Sequence, residues 1–235
     1  MIKEIKRIYI AGCGGMLGDA FYKIFSKKFT LNCSDKDVNE KWIHKLDFTN
    51  FEDYESEVTK FNSDLLIHLG AMTDLEECES NPDITYLNNL KSVEKGVYIS
   101  KKLNIPFVFI STAGIFDGKK NIYEDDDLPN PLSHYGNSKY LAEKFIEKNT
   151  NNYLICRAGW MMGGGFKKDK KFVNKIINQL KSGKTELNIV NDKNGTPTYT
   201  HDFANQILLL IENNIRGKFN VVCEGLSSRL EVASE

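Results

Sequence analysis

Short apolar runs alternate along this chain with segments whose apolar residues recur every three or four positions. Residues 8–11 read as a buried strand, and Leu17, Ala20, Phe21, Ile24 and Phe25 follow at helical spacing. Weaker strand patterns lie at 31–34 and 42–46, and a strong one at 65–69. Pro82 suits the first turn of a long helix. The pattern then predicts a strand at 107–110, a helix over roughly 133–147 and a strand at 153–156. Past about residue 158 the rhythm loosens. A glycine stretch at 162–165 and a basic run at 167–171 precede two more expected helices, near 172–180 and 200–213. Strands alternating with helices imply parallel βαβ units, and so an α/β doubly wound parallel sheet.

Length and charge narrow the classes. A chain of 235 residues suits one substantial domain, or one with a small appendage. Its 31 basic and 32 acidic residues give no basic excess, which argues against nucleic acid or an anionic membrane as partner. Cys13, Cys33, Cys78, Cys156 and Cys223 are scattered, odd in number and never at CxxC spacing, as expected in a reducing compartment. The apolar run near the N-terminus is too short for a signal-peptide core, and the run at 207–211 is too short to span a bilayer. A cytoplasmic protein is expected. The four histidines are dispersed, so no protein-bound metal is expected. The acidic run 125–127 reads as a solvated loop, and the lysine run 167–171 as a flexible surface segment.

The first candidate chemistry is Gly12-x-x-Gly15-x-x-Gly18, between the first strand and the first helix. One glycine tolerates a positive φ, one lets the backbone approach a phosphate, and one lets the helix pack tightly on the strand. The helix N-terminus then offers free N–H groups and a positive dipole end to a pyrophosphate. Met16 and Leu17 inside the motif join this dinucleotide-contacting set. Asp35 ends the second strand about 20 residues on, where an acid would take a ribose 2′-hydroxyl. Lys36 could instead meet a 2′-phosphate. Asp47, with Phe48 after it, could hold the adenine or could be a simple turn. The expectation is use of both NADH and NADPH, with a lean toward NADH.

The second candidate is Tyr135-x-x-x-Lys139 near a helix start, where residues four apart share a face. A nearby ammonium would lower the tyrosine pKa from its free value of about 10. Ser111 and Thr112 put hydroxyls at a carboxyl strand end, where ligands bind in such sheets.

Taken together, the motifs resemble the extended short-chain dehydrogenases/reductases, and within them the dTDP-4-dehydrorhamnose reductase group. The matching pieces are the glycine motif, Gly70-Ala71-Met72-Thr73, Asn89-Leu90-Lys91-Ser92-Val93, Ser111-Thr112-Ala113-Gly114-Ile115-Phe116, Pro129-Asn130-Pro131 before Tyr135 and Lys139, Arg157-Ala158-Gly159-Trp160, and the run from Asn191 to Thr198. They come in family order over about residues 6–230. The resemblance implies a Rossmann-type NAD(P)-binding domain over 1–157, carrying the Tyr–Lys helix. A substrate-binding region over 158–235 would interleave with the last sheet elements. The chain's stop at Glu235, early in an expected helix, reads as a substrate region cut short.

The same resemblance assigns roles. Tyr135 would protonate the keto oxygen of a 4-keto-6-deoxy sugar nucleotide, Thr112 would hydrogen-bond that oxygen, and Lys139 would tune Tyr135 and hold the nicotinamide ribose. Gly70, Ala71 and Thr73 would line the cofactor, NADH or NADPH, and Asn89, in the same cofactor-binding set, would support the active site from the long helix. Arg157, Trp160, Gly195, Pro197 and Thr198 would face the sugar nucleotide. Ala113-Gly114 stands where the reductases carry Asp-Tyr, which leaves the sugar open and argues against a dehydratase, whose Asp-Glu pair would fall there. A homodimer, a sugar-nucleotide epimerase on the same scaffold, and a regulatory subunit that binds NAD(P) without chemistry remain open alternatives.

Overall fold

The computed structural model describes residues 4–235. Its centre is a seven-stranded sheet in which every neighbouring pair is parallel. In chain order the strands are β1 (Arg7–Ala11), β2 (Thr30–Asp35), β3 (Ile43–Lys45), β4 (Leu65–His68), β5 (Phe107–Thr112), β6 (Tyr153–Ala158) and, after three short strands, β10 (Gly217–Val221). Their spatial order is β10-β6-β5-β4-β1-β2-β3. The strand order reverses beside β1, which has β2 on one side and β4 on the other. A doubly wound sheet opens a ligand crevice at such a point, above the carboxyl ends of the strands.

Strand side chains alternate between faces, so two layers of core result. Ile8, Ile10 and Ile67 point to one face, against Phe21 and Phe25 of α1 (Met16–Phe25) and Phe203 and Ile207 of α9 (Thr200–Glu212). Tyr9, Leu66 and Phe109 point to the other. There they meet α2 (Phe51–Lys60), α5 (Ser92–Leu103) and α6 (His134–Asn149).

The expected helix after Pro82 is composite. A short α3 (Leu75–Ser80) precedes it; α4 (Pro82–Tyr86) then runs through a π-helical turn, Leu87–Lys91, into α5. The alternation did not reveal α2, α3 or β10. In α2 only Tyr54 and Val58 are buried, too few to write a helical stripe. Beyond β6 come β7 (Trp160–Met162), α7 (Gly165–Lys168), α8 (Phe172–Lys181), β8 (Asn194–Gly195) and β9 (Pro197–Tyr199). After β10 follow β11 (Ser227–Ser228) and α10 (Arg229–Ser234). β7 pairs with β9, and β8 with β11. No helix among the described residues is long and apolar enough to cross a membrane.

Candidate functional site

The glycine motif lies at the reversal point. Gly12 has φ +89°, and a Cβ there would come 2.2 Å from the backbone nitrogen of Gly70, so the turn after β1 touches the loop after β4 backbone to backbone. A Cβ on Gly18 would meet the Cys13 carbonyl at 2.2 Å, which ties α1 to the turn. Gly15 differs. It is exposed, caps α1, and a Cβ there would meet nothing within 4 Å. The first turn of α1 therefore opens onto unfilled space, the geometry a pyrophosphate needs. Met16 and Leu17 are half-buried at that helix start. The residues present fit a dinucleotide.

Asp35 ends β2 beside this turn, and its carboxylate accepts hydrogen bonds from the Gly14 and Asp37 backbone N–H groups, both at 2.8 Å. Lys36 turns away, its ammonium 3.1 Å from Asp47 and over the Phe48 ring. Asp47 also accepts from Thr49. Phe48 is buried, with its ring where a Cβ on Gly70 would fall, and meets His68 edge-on. It therefore props the loop after β4.

Asn89 sits in the π-helical turn and is fully buried. Its Oδ1 accepts from the Met72 N–H at 2.7 Å, and its Nδ2 donates to the Met72 carbonyl at 3.0 Å and to the Ser138 hydroxyl at 3.1 Å. Ser138 in turn donates to the Tyr135 carbonyl. The carboxamide makes three hydrogen bonds within the protein, so Asn89 clasps the 70–73 loop to α6. Short π-helical turns recur at functional sites for such reasons, because they re-aim one side chain.

Helix α6 begins where Ser133 accepts the Gly136 N–H at 3.0 Å, a cap that Ser supplies readily. Its first turns carry Tyr135, half-buried, and Lys139, buried with its ammonium 4.1 Å from the centre of the Phe109 ring. Burial pushes the Tyr135 hydroxyl above its ordinary value, a hydrogen bond with Thr112 opposing and Cys78 adding to it. Burial brings the Lys139 ammonium down to about 7, against the pull of Glu143. Burial thus raises the tyrosine pKa where a neighbouring ammonium was expected to lower it, and Lys139 is not among the groups that act on it. Thr112, at the end of β5, also accepts from the Gly114 N–H at 3.0 Å.

Arg157 does not face a substrate. It is 1 % exposed, its guanidinium held by Glu143 at 2.8 Å and donating to the Asp125 carbonyl at 2.9 Å. It binds α6 and the 123–127 loop to β6. Asp125 also accepts from the Asn220 backbone N–H, and Asp127 pairs with Lys120, so that acidic run is engaged in structure. Trp160, Gly195 and Pro197 do come together: Trp160 registers with Pro197, and a Cβ on Gly195 would strike the indole. Thr198 is buried, its hydroxyl on the Thr196 carbonyl.

The glycine and lysine run carries a feature that its sequence concealed. Residues 163–171 form a strap across the carboxyl ends of the strands. Gly164, at φ +74°, lies so close to Met16 that a Cβ would sit 2.6 Å from that side chain. The Lys171 ammonium donates to the Thr73 carbonyl and hydroxyl at 3.0 and 2.8 Å, so Thr73 is a strap contact. Ala71 lies half-buried in the same loop.

Known proteins share this architecture. Over 97 % of its length the chain is 28 % identical to the spore coat polysaccharide biosynthesis protein SpsK of Bacillus subtilis, 77 % of which is covered. The dTDP-4-dehydrorhamnose reductase of Bacillus anthracis, solved in complex with NADP, superposes with a TM-score of 0.89 at 28 % identity, covering 98 % of this chain and 79 % of that one. The Yersinia enterocolitica dTDP-4-dehydrorhamnose reductase gives 0.85 at 31 % identity, over 97 % of this chain and 78 % of its own. The model of the RmlD substrate binding domain matches residues 6–235, and the chain belongs to that family.

Proposed function

We propose that this chain reduces the 4-keto group of a 4-keto-6-deoxy sugar nucleotide, in the manner of the dTDP-4-dehydrorhamnose reductases it resembles. The observation that carries the reading is the meeting of the Thr112 and Tyr135 hydroxyls at the carboxyl end of β5, with Lys139 one helical turn on and the open Gly15 cradle at the neighbouring reversal point. NADH or NADPH, when bound, supplies a hydride to the carbonyl carbon. The carbonyl oxygen then needs a proton. Tyr135 holds one firmly, since burial raises its pKa, and so stands as a protonated acid at neutral pH. Thr112 offers a second hydroxyl to stabilise negative charge growing on that oxygen. Lys139, one helical turn on, is proposed to hold the nicotinamide ribose, and Asn89 fixes the helix that carries both. Trp160, Gly195 and Pro197 form the wall proposed to meet the sugar nucleotide. The five thiols are all unpaired, which supports a reducing compartment such as the cytoplasm.

The test is direct. The purified chain is mixed with dTDP-4-dehydrorhamnose and NADH or NADPH, and loss of reduced-cofactor absorbance is followed with analysis of the sugar product. Reduction to the 4-hydroxy sugar is expected. Calorimetry showing bound cofactor but no reduction would leave the binding-subunit alternative as the better reading.

A further inference from the structure

Beside the glycine turn lies a cavity of about 250 Å³. One wall is Gly14, Asp35 and Asp37; the other is Lys167, Lys168 and Lys170 of the strap. An acid at the end of the second strand ordinarily binds a ribose 2′-hydroxyl and repels a 2′-phosphate. Here three lysines line the space that such an acid would govern alone.

Two of the three are engaged at the surface. Lys167 donates to the Asn39 carbonyl at 3.1 Å and to Glu40 at 3.0 Å, and Lys170 lies 3.8 Å from Asp37. Lys168 is different. It is 5 % exposed, and its ammonium makes no hydrogen bond. Its nearest carboxylate oxygen, on Glu40, is 3.7 Å away, and the Trp42 ring centre is 4.9 Å away. Trp42 is itself stacked on Tyr22 of α1, which fixes that wall. A buried ammonium without an acceptor is costly to keep. A phosphate dianion in the same cavity would supply several acceptors. Lys36, the residue adjacent to Asp35, pairs with Asp47 at the surface and does not line this cavity.

We propose that Lys167, Lys168 and Lys170 form a subsite for the adenosine 2′-phosphate of NADPH, anchored by Lys168, so that the strap rather than Asp35 sets cofactor choice. The proposal rests on the reading of the glycine cleft as a dinucleotide site. It departs from the lean toward NADH that Asp35 suggests by itself. It also gives the 158–235 segment a role at the end of the cofactor remote from the nicotinamide.

Calorimetric titration of the full chain with NADPH, NADH, adenosine 2′,5′-bisphosphate, 5′-ADP and dTDP tests it. The wild type should bind NADPH at least as tightly as NADH, and the 2′,5′-bisphosphate more tightly than 5′-ADP. Loss of a charge-assisted hydrogen bond makes Lys168→Met expected to weaken NADPH about 10- to 100-fold while changing NADH less than about threefold. The surface pair Lys167→Gln/Lys170→Gln, which leaves the buried wall intact, should show the same selectivity at smaller size. That pair decides the matter if Lys168→Met fails to fold, as far-ultraviolet circular dichroism would reveal. Equal losses for both cofactors, or no selective loss in either variant, would overturn the proposal. So would dTDP competing for the lysines in place of the 2′,5′-bisphosphate. Failure of the wild type to bind either cofactor would instead remove the dinucleotide reading beneath it.

Discussion

The two sides of the cleft are built differently. On the side of α6, two buried and partnered polar groups brace the helix that carries Tyr135: Asn89 to Met72 and Ser138, Arg157 to Glu143 and Asp125. On the side of the strap, elements of two to four residues, β7, β8, β9 and α7, carry the residues, and the lysine contacts lie mostly at the surface. A proton donor must be held to a fraction of an ångström, whereas a wall that meets a large, variable ligand need not be. The comparison implies that changes in the α6 half act on rate or on folding, while changes in the strap half act on affinity.

The largest effect should come from Tyr135→Phe, which keeps the ring and removes one hydroxyl. Turnover on a demonstrated substrate should fall about 10²–10⁴-fold, the usual worth of a general acid, with cofactor affinity unchanged by calorimetry. Near wild-type turnover would remove Tyr135 from the chemistry.

Next is Arg157→Met. It leaves Glu143, itself 1 % exposed, as an unpaired buried charge, and breaking such a pair costs about 3–5 kcal/mol. Urea unfolding should show that loss. A variant that keeps full stability but loses sugar-nucleotide affinity would return Arg157 to the substrate side and break the comparison.

Asn89→Ala should cost less, about 1–3 kcal/mol for the buried groups it strands on Met72 and Ser138. Its turnover should drop at unchanged substrate KM, because α6 shifts while the opposite wall does not.

A smaller effect is a pH dependence confined to the same half. His68, buried between Tyr54 and Ser92, has its pKa lowered to about 3, chiefly by burial and then by the charge of Lys139. The unfolded chain therefore binds a proton that the folded chain refuses, and folding stability should fall as pH drops from about 6.5 toward 3. His68→Gln should flatten that slope by up to one proton in urea titrations at several pH values. An unchanged slope would show that His68 does not contribute.

Much of the fold was legible because its strands are short, apolar and buried on both faces, as with residues 8–11 and 65–68, and because Gly12, Gly15 and Gly18 need their spacing to make the turn. The Tyr–Lys helix was legible for the same reason, as one motif on one element. What stayed hidden depends on partners distant in sequence. Arg157 looks like a polar group at a strand end until Glu143 is seen against it. Lys168 looks like one lysine among four in its run, and only Trp42 and the strap's path over α1 show that it is buried. The strand β10 alternates weakly because it is the sheet's edge, with only Val221 buried.

The contact between Gly12, Gly70 and Phe48 has a consequence for how sequences of this shape can vary. Two backbones meet there with no side chain between them, and an aromatic ring closes the far side. The three positions therefore form one unit of substitution. A methyl added at residue 12 drives into the residue 70 backbone, whatever stands elsewhere. A methyl added at residue 70 drives into the ring. Gly70→Ala should accordingly be far better tolerated beside Phe48→Leu than in the wild type, a non-additivity that a paired mutational library would detect. Gly12 has no such compensating change within reach, because what it meets is main chain.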